Sequence, residues 1–345
     1  MKNILTILLA LTVSFIISGC GKTKNKLYIY TWAEYIEPSL VAEFERQHDC
    51  EVVIDTFDSN ESMHAKVKAG GGGYDLISPS SYMVEILVKE NLIDPLDHGF
   101  LPNLKNIDPE YLAKFALDPR MEYSVPYMLS STGIGYSKSK VTDFKPTWHM
   151  FENEQYAKRS MLFNDMREVL GAALKTLGYS LNTTDPQEIE QAKELVLKWK
   201  KNLAKFDSEA YKPGLASGES LLAQGYSGDV LQLTADHEDI GYAIPEEGTS
   251  FACDDWVIPR DARHKDLAYA FINFIHDPAN AAKNMEFVNY WCPNVPAYAL
   301  LPEDLRGDEL LFPPKEVLEK CEIIRDLGDQ NTLYIKAWDE IKARE

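Results

Sequence analysis

The sequence has few basic residues for its length. Lysine and arginine number 35 among 345 residues, against 54 aspartates and glutamates, which gives a formal net charge of −19. A protein that binds the phosphate backbone of nucleic acids needs a basic surface. The composition therefore argues against a nucleic-acid partner. The acidic excess is compatible with a cationic ligand, and also with a surface charge that only keeps the protein soluble.

Motifs that hold metals or phosphates are missing as well. No two cysteines have Cys-x-x-Cys spacing, and the seven histidines are scattered without a His-Glu-x-x-His motif. The glycine run at 70–73 is not followed by Gly-Lys-Ser or Gly-Lys-Thr, so it predicts a loop. Gly225-Tyr226-Ser227-Gly228 is not the Gly-x-Ser-x-Gly of serine hydrolases. The sequence therefore predicts no metal site and no cofactor.

The only long apolar run is at the N-terminus, and it is short for a membrane span. Residues 4–17 are apolar, Lys2 supplies a positive charge before them, and Ile17-Ser18-Gly19-Cys20 ends the run. A transmembrane helix is the alternative, but it needs about 20 apolar residues. The pattern resembles a bacterial lipoprotein signal with its lipobox. That resemblance implies a signal peptide at 1–19 and a lipid on Cys20.

The remainder of the chain is long enough for about two domains. Hydrophobic residues make up 45% of the sequence and aromatic residues 11%, which is enough for sizeable cores. Residues 20–26 are polar and short, and we expect them to form a tether between the lipid and the first domain. Four further cysteines could form disulfides in an exported protein, and the sequence leaves all three pairings open. They are Cys50, Cys253, Cys292 and Cys321.

Strand and helix patterns alternate from residue 27 onward, which predicts an α/β fold. Hydrophobic alternation and capping residues predict the boundaries of these elements. The expected strands cover a short run beginning at 27, then 51–57, 74–80, 131–136 and 251–259, and the expected helices cover 38–48, a segment ending at 67, 83–89, 166–177, 186–203 and 267–275.

The first strand ends in residues that suit an organic cation. Trp32 and Tyr35 flank Glu34, and aromatic faces attract an ammonium group while a carboxylate supplies its counter-charge. The alternative is that these aromatic rings belong only to the core. Ser80 and Tyr82 lie where the third strand gives way to a helix, and ligands of open α/β sheets bind at such ends.

Several runs of this sequence resemble the spermidine/putrescine-binding proteins of bacterial ABC importers, over nearly all of residues 27–340. They are Thr-Trp-Ala-Glu-Tyr (31–35), Asp-Ser-Asn-Glu-Ser-Met (58–63), Tyr-Asp-Leu-Ile-Ser-Pro-Ser (74–80), Asp-Met-Arg-Glu-Val (165–169) and Gly-Tyr-Ser-Leu-Asn-Thr-Thr-Asp-Pro-Gln-Glu-Ile-Glu (178–190). The resemblance implies a two-lobed periplasmic-binding-protein fold, with a sheet flanked by helices in each lobe. The polyamine would lie in the cleft between a first lobe at 27–133 plus 255–300 and a second at 134–254 plus 301–345.

The resemblance also implies which residues bind the ligand. Asp165 and Glu168 match the acidic pair that holds one amine, and a helix N-terminus favours their ionised forms. Asp254 matches the aspartate that holds another amine. The complete implied set is Trp32, Glu34, Tyr35, Ser80, Tyr82, Asp165, Glu168, Tyr226, Asp229, Asp254 and Tyr290. Two positions depart from the family pattern, because Ala252 replaces a tryptophan that stacks on the ligand and Ile324 replaces a polar glutamine.

These matches predict a lipid-anchored binding protein, not an enzyme. It would bind polyamines as a monomer in the periplasm or at the outer face of the cytoplasmic membrane, and deliver them to a permease and its ATPase. A binding protein for a sugar, an amino acid or an iron complex is the alternative. A hydrolase with two catalytic carboxyl groups is a further one.

Asp229 bears on which polyamine is preferred. Residues 226–229 are Tyr-Ser-Gly-Asp and resemble the Trp-x-Gly-Asp of putrescine-specific relatives. This carboxylate could hold one end of a short diamine, so that putrescine binds at least as well as spermidine. The alternative is that Asp229 faces solvent or a neighbouring lysine.

Overall fold

The structure, a computed structural model, describes residues 25–70 and 72–344. The predicted signal peptide, the lipidation site at Cys20 and most of the predicted tether lie outside the described residues. Asn25 and Lys26, the last two tether residues, belong instead to the first strand, because they pair with Cys50 and Glu51. A search of the described residues found no helix with the length and apolar character needed to cross a membrane.

The strands alternate with helices as the sequence predicts. The strands are β1 (Asn25–Thr31), β2 (Cys50–Thr56), β3 (Leu76–Ile77), β4 (Val125–Ser137), β5 (Ser160–Leu162), β6 (Leu203–Phe206), β7 (Leu222–Tyr226), β8 (Ile240–Ala243), β9 (Ser250–Trp256) and β10 (Glu322–Ile323). The α-helices are α1 (Pro38–His48), α2 (Asn60–Lys68), α3 (Ser81–Lys89), α4 (Pro109–Lys114), α5 (Met166–Thr176), α6 (Pro186–Lys200), α7 (Tyr211–Ser217), α8 (Ser227–Asp236), α9 (Lys265–Ile275), α10 (Pro278–Val288), α11 (Val295–Tyr298), α12 (Glu303–Arg306), α13 (Lys315–Leu318) and α14 (Asn331–Ala343).

Capping residues explain why several predicted helix starts are accurate. Ser59 accepts a hydrogen bond from the Ser62 N–H ahead of α2, and Asp185 accepts one from the Gln187 N–H ahead of α6. The predicted helix at 186–203 is too long, because the chain turns after Lys200 and enters β6. The predicted strand at 74–80 is also too long. Only two of its residues pair with β1.

Two sheets organise the chain, and β4 and β9 connect them. The first sheet has the parallel order β2-β1-β3, and the second has the order β10-β9-β4-β7-β5-β6 with β8 also on β4. The first half of β4 pairs with β9, and its second half pairs with β7 and β8. Bridges from Ile77 to Val257 and from Ser80 to Asp254 tie β3 to β9. The α/β prediction is confirmed, and the two strands predicted to cross between lobes run side by side.

The hydrophobic core has two main parts. One is built from buried residues between Leu27 and Met128 together with residues from Trp256 to Leu301. The other is built from buried residues between Ile134 and Tyr242 together with part of α14. A smaller cluster around Phe251 draws on both parts of the chain. A further cluster, around Tyr30, Met63 and Leu87, lies in the first predicted lobe beside the first core. The predicted lobe boundaries stay a prediction.

The exported-protein hypothesis left three disulfide pairings open, and none of them forms in this structure. Cys253, Cys292 and Cys321 are buried thiols. Cys50 is also buried, in the first core.

Candidate ligand-binding site

Asp254 is the carboxylate at which β9, β3 and the loop after β1 meet. The Tyr35 hydroxyl donates a hydrogen bond to its Oδ2 at 2.6 Å, and the Ser80 hydroxyl donates one to its Oδ1 at 2.7 Å. Burial raises the pKa of Asp254 to about 6, although both hydrogen bonds act to lower it. The Trp32 indole N–H also acts to lower that pKa, but it makes no hydrogen bond of normal geometry. Three predicted site residues therefore surround the carboxylate of a fourth, which holds a proton unusually well.

Aromatic rings enclose this carboxylate. The Tyr35 ring meets the Tyr290 ring edge-on, with centroids 5.7 Å apart. Tyr290 in turn packs against Gly228 at the start of α8, where an added Cβ would lie 2.5 Å from the ring. A side chain at 228 would therefore displace Tyr290. With glycine at position 228, the Tyr290 ring of the first core packs directly against helix α8, which contributes Val230 to the second core.

The acidic pair Asp165 and Glu168 lies at the start of α5. Asp165 caps the helix and accepts hydrogen bonds from the Arg167 and Glu168 N–H groups at 2.8 and 3.0 Å. Glu168 is only 5% exposed, and the Ser250 hydroxyl donates to its Oε2 at 2.5 Å. Burial, followed by the charge of Asp165, raises the pKa of Glu168 to about 7. Burial also raises the pKa of Asp165, although its two N–H donors oppose this. The predicted helix effect is therefore present at Asp165 and is outweighed by desolvation.

Arg167 lies between these two acids in sequence, yet it does not form an ion pair with either of them. Its guanidinium donates to the Asn182 side chain at 2.9 Å and to the Arg325 carbonyl at 3.0 Å, and it lies 4.6 Å from the centre of the Tyr334 ring. Burial raises the pKa of both acids by more than the Arg167 charge lowers it, so the pair is only partly compensated by the protein itself.

Glu61 is a site candidate that the sequence analysis missed. The Tyr82 hydroxyl donates to Glu61 Oε1 at 3.2 Å, and the Glu61 charge raises the pKa of both Tyr82 and Asp165. Glu61 lies in the first turn of α2, in the first predicted lobe, and Asp165 caps α5, in the second, so three carboxylates converge from two sides. The signal available in the sequence is an acid in the first turn of a helix that follows a strand.

Glu34 and Asp229 meet a lysine. The Lys212 ammonium lies 3.6 Å from Asp229 Oδ1 and 3.9 Å from Glu34 Oε2, and the Tyr211 hydroxyl donates to the other Asp229 oxygen. The alternative that placed Asp229 beside a neighbouring lysine therefore describes this structure. Burial raises the pKa of Tyr226, and the charges of Glu168, Asp165 and Asp229 raise it further.

The missing tryptophan at position 252 is not replaced by Trp256. Ala252 lies on β9 opposite Ser130. Trp256 is fully buried in the first core, where its ring lies 4.6 Å from that of Tyr127. The site accordingly lacks one aromatic wall. A surface pocket of about 510 Å³ beside His48, Phe100 and Asn273 includes none of the predicted site residues, so we do not assign ligand binding to it.

Comparison with known proteins identifies the class. Residues 39–313 match the family of bacterial extracellular solute-binding proteins, and the chain belongs to that family. It is 36% identical over 321 residues to the spermidine/putrescine-binding periplasmic protein of Salmonella typhimurium, with 92% of each chain covered. It is 34% identical over 350 residues to the putrescine/cadaverine-binding protein of Pseudomonas aeruginosa, covering 97% of this chain and 99% of that one. More narrowly, the chain belongs to the family of the spermidine/putrescine-binding periplasmic proteins.

The same family accounts for the fold. The Tp0655 lipoprotein of Treponema pallidum superimposes with a TM-score of 0.85 at 36% identity, covering 93% of this chain and 100% of that one. The predicted periplasmic-binding-protein fold is confirmed, as is the prediction of a binding protein in place of an enzyme.

Proposed function

We propose that this protein captures polyamines outside the cytoplasm and delivers them to an ABC importer. The observation that carries the proposal is a set of buried or half-buried carboxylates that form no ion pair with a basic side chain in the described part of the chain: Asp254, Asp165 and Glu168. Enclosed carboxylates are costly unless a cation meets them. The names of the relatives, which specify spermidine, putrescine and cadaverine, support a linear polyamine as that cation.

The geometry suggests how a diamine is held. One ammonium group binds Asp254, with the Tyr35 and Tyr290 rings beside it, and the other binds Asp165, Glu168 and Glu61. Aromatic rings stabilise an ammonium group by about 0.5 to 2 kcal/mol each, more where water is excluded. The methylene chain then passes Tyr226 and Tyr82. Trp32 and Ser80 position the first of these groups.

The two predicted lobes would act as halves of one site. Glu61, Tyr82 and Ser80 come from the first predicted lobe, and Asp165, Glu168 and Tyr226 come from the second. A ligand that bridges them favours the closed arrangement by the difference between its affinities for the closed and open forms. The permease with its ATPase would recognise this closed form. We expect the binding protein itself to act as a monomer.

The membrane anchor is part of the proposal. A lipid on Cys20 would hold the mature chain at a membrane surface, with the predicted tether between lipid and fold. The Treponema pallidum relative is named as a lipoprotein, which supports this arrangement.

Native mass spectrometry of the purified protein tests the ligand, because an enclosed dication survives transfer to the gas phase. We expect a co-purifying mass that matches a polyamine. Isothermal titration with putrescine, spermidine and cadaverine should then give saturable binding, with γ-aminobutyrate and glucose as matched non-dication controls. Binding of either control with no binding of any polyamine would refute the proposal.

A further inference from the structure

Lys212 brings a positive charge of the protein itself to one end of the acidic cleft. Its ammonium group lies within 4.0 Å of two carboxylates, Asp229 at 3.6 Å and Glu34 at 3.9 Å. Glu34 belongs to the first predicted lobe, whereas Lys212 and Asp229 belong to the second. One ammonium group thus bridges the cleft in the way that a ligand amine would.

Neighbouring contacts hold this lysine in place. Its Nζ donates to Gln232 Oε1 at 3.1 Å, and the Gln232 amide donates to the Val288 carbonyl at 3.1 Å. The Lys212 side chain is 28% exposed, so it is not simply extended into solvent. Glu34 has left-handed backbone geometry, with φ at 54°, which is uncommon for a residue other than glycine. The Glu34 side chain is 76% exposed and Asp229 31%, so the Asp229 half of the bridge is the better enclosed.

The bridge lies next to the proposed ligand groups. The Tyr290 ring packs on Gly228, the residue before Asp229, and its centroid lies 5.7 Å from that of Tyr35, whose hydroxyl donates to Asp254. Tyr226 ends β7 three residues before Asp229, and its ring centroid lies 4.6 Å from that of Phe163, two residues before Asp165. The carboxylates consequently form three groups around the same aromatic rings. Only the group containing Glu34 and Asp229 already has an ammonium partner.

We propose that Lys212 is a tethered ammonium group that occupies the place of a third ligand amine and so determines which polyamine is preferred. The inference rests on the proposed function. A diamine needs only the Asp254 group and the Asp165 group, so Lys212 leaves it room. An additional amine on a triamine reaching Glu34 and Asp229 would meet a like charge and would have to displace the lysine. Like charges a few ångströms apart repel strongly in such surroundings.

Replacement of the lysine tests this proposal. Lys212→Met keeps most of the side-chain volume and removes the charge. We expect it to lower the spermidine Kd about tenfold and to change the putrescine Kd by no more than about twofold, measured by calorimetry at low ionic strength. The difference should shrink in high salt. Lys212→Gln serves as a second uncharged variant, and thermal melts verify that each variant is folded.

Three further variants separate this mechanism from general charge effects. Lys212→Arg keeps the charge and should keep the wild-type ratio of the two affinities. Lys89→Met is the matched control, because Lys89 forms another ion pair between the predicted lobes, with Asp326 at 2.8 Å, away from Glu34 and Asp229. It too should leave the ratio unchanged. Lys212→Met combined with Asp229→Asn should cancel most of the gain for spermidine.

The outcomes are distinguishable. An equal gain for both polyamines in Lys212→Met, or no gain for either, would overturn the inference while leaving polyamine binding intact. The same holds if Lys89→Met shifts the ratio as much as Lys212→Met does. Absence of binding of either polyamine to the wild-type protein would overturn the proposed function, and this inference with it.

Discussion

Replacement of Asp254 by asparagine should move stability and affinity in opposite directions. Asparagine has nearly the same shape, and its amide can still accept from one of the Tyr35 and Ser80 hydroxyls and donate to the other. What the substitution removes is the negative charge. A ligand ammonium group at this position would then have no counter-charge, which costs about 3 kcal/mol, or roughly 150-fold in Kd.

The expected gain in stability follows from the raised pKa. Burial raises the pKa of Asp254 from 3.8 to about 6. Each unit corresponds to about 1.4 kcal/mol, and the side chain is half-buried, so we discount the full shift to about 1 to 2 kcal/mol at neutral pH. Without ligand, Asp254→Asn should therefore unfold at a higher denaturant concentration than wild type. With saturating putrescine the order should reverse.

Asp255 provides a matched control. It is the next residue of β9, it is 4% exposed, and its carboxylate accepts from the Ser81 hydroxyl at 2.6 Å. Burial raises its pKa to about 7. Because neighbouring strand residues point to opposite faces, Asp255 lies away from Asp254. Asp255→Asn should stabilise the protein similarly but keep polyamine affinity. Calorimetry showing less than about a threefold change in affinity for Asp254→Asn would refute this placement of Asp254.

Three further outcomes follow from the same contacts. Putrescine affinity, measured by calorimetry, should fall at least about tenfold between about pH 8 and about pH 5. Protons compete with the ligand for two carboxylates, whose pKa values are about 6 at Asp254 and about 7 at Glu168. An affinity that does not change with pH would contradict this. Glu61→Gln should weaken putrescine binding about three- to tenfold without loss of thermal stability. Glu43, which pairs with Arg46 on α1, provides the control, and Glu43→Gln should leave binding unchanged. A chain lacking residues 1–20 should be soluble, monomeric and able to bind polyamines without detergent, as checked by light scattering and calorimetry.

Local sequence signals predict most of the secondary structure here. The helix at 38–48 is confirmed as Pro38–His48, because Pro38 opens it and Leu40 and Phe44 form its buried stripe. The helix predicted at 166–177 ends one residue earlier, at Thr176. Such elements are set by residues a few positions apart. The strand predicted at 74–80 pairs with β1 only at Leu76 and Ile77, and beyond them Ser80 bridges to Asp254, a contact that no local pattern encodes.

Long-range contacts explain what the sequence could not supply at the site. The resemblance implies that Glu34 and Asp229 contact the ligand. It does not point to Lys212, which lies in the short helix α7 and belongs to no binding motif. These residues meet only after residues nearly two hundred positions apart are brought together. Glu61 was missed for a related reason. An acid in the first turn of a helix is already accounted for by the helix itself. The effect of Glu61 on the site is visible only in the folded protein, where its charge raises the pKa of Asp165 from the second predicted lobe.

The raised pKa values also connect ligand binding to folding. Glu168 and Asp254 have pKa values of about 7 and about 6 in the folded protein, above the roughly 4 expected in an unfolded chain. Between about pH 4 and about pH 7 the folded state therefore holds more protons, and its stability falls as the pH rises. Above about pH 7 both carboxylates are ionised and their desolvation opposes folding in full. A polyamine replaces the missing protons with ammonium groups, so its stabilising effect should be largest at high pH and should decrease as the pH falls through these two values.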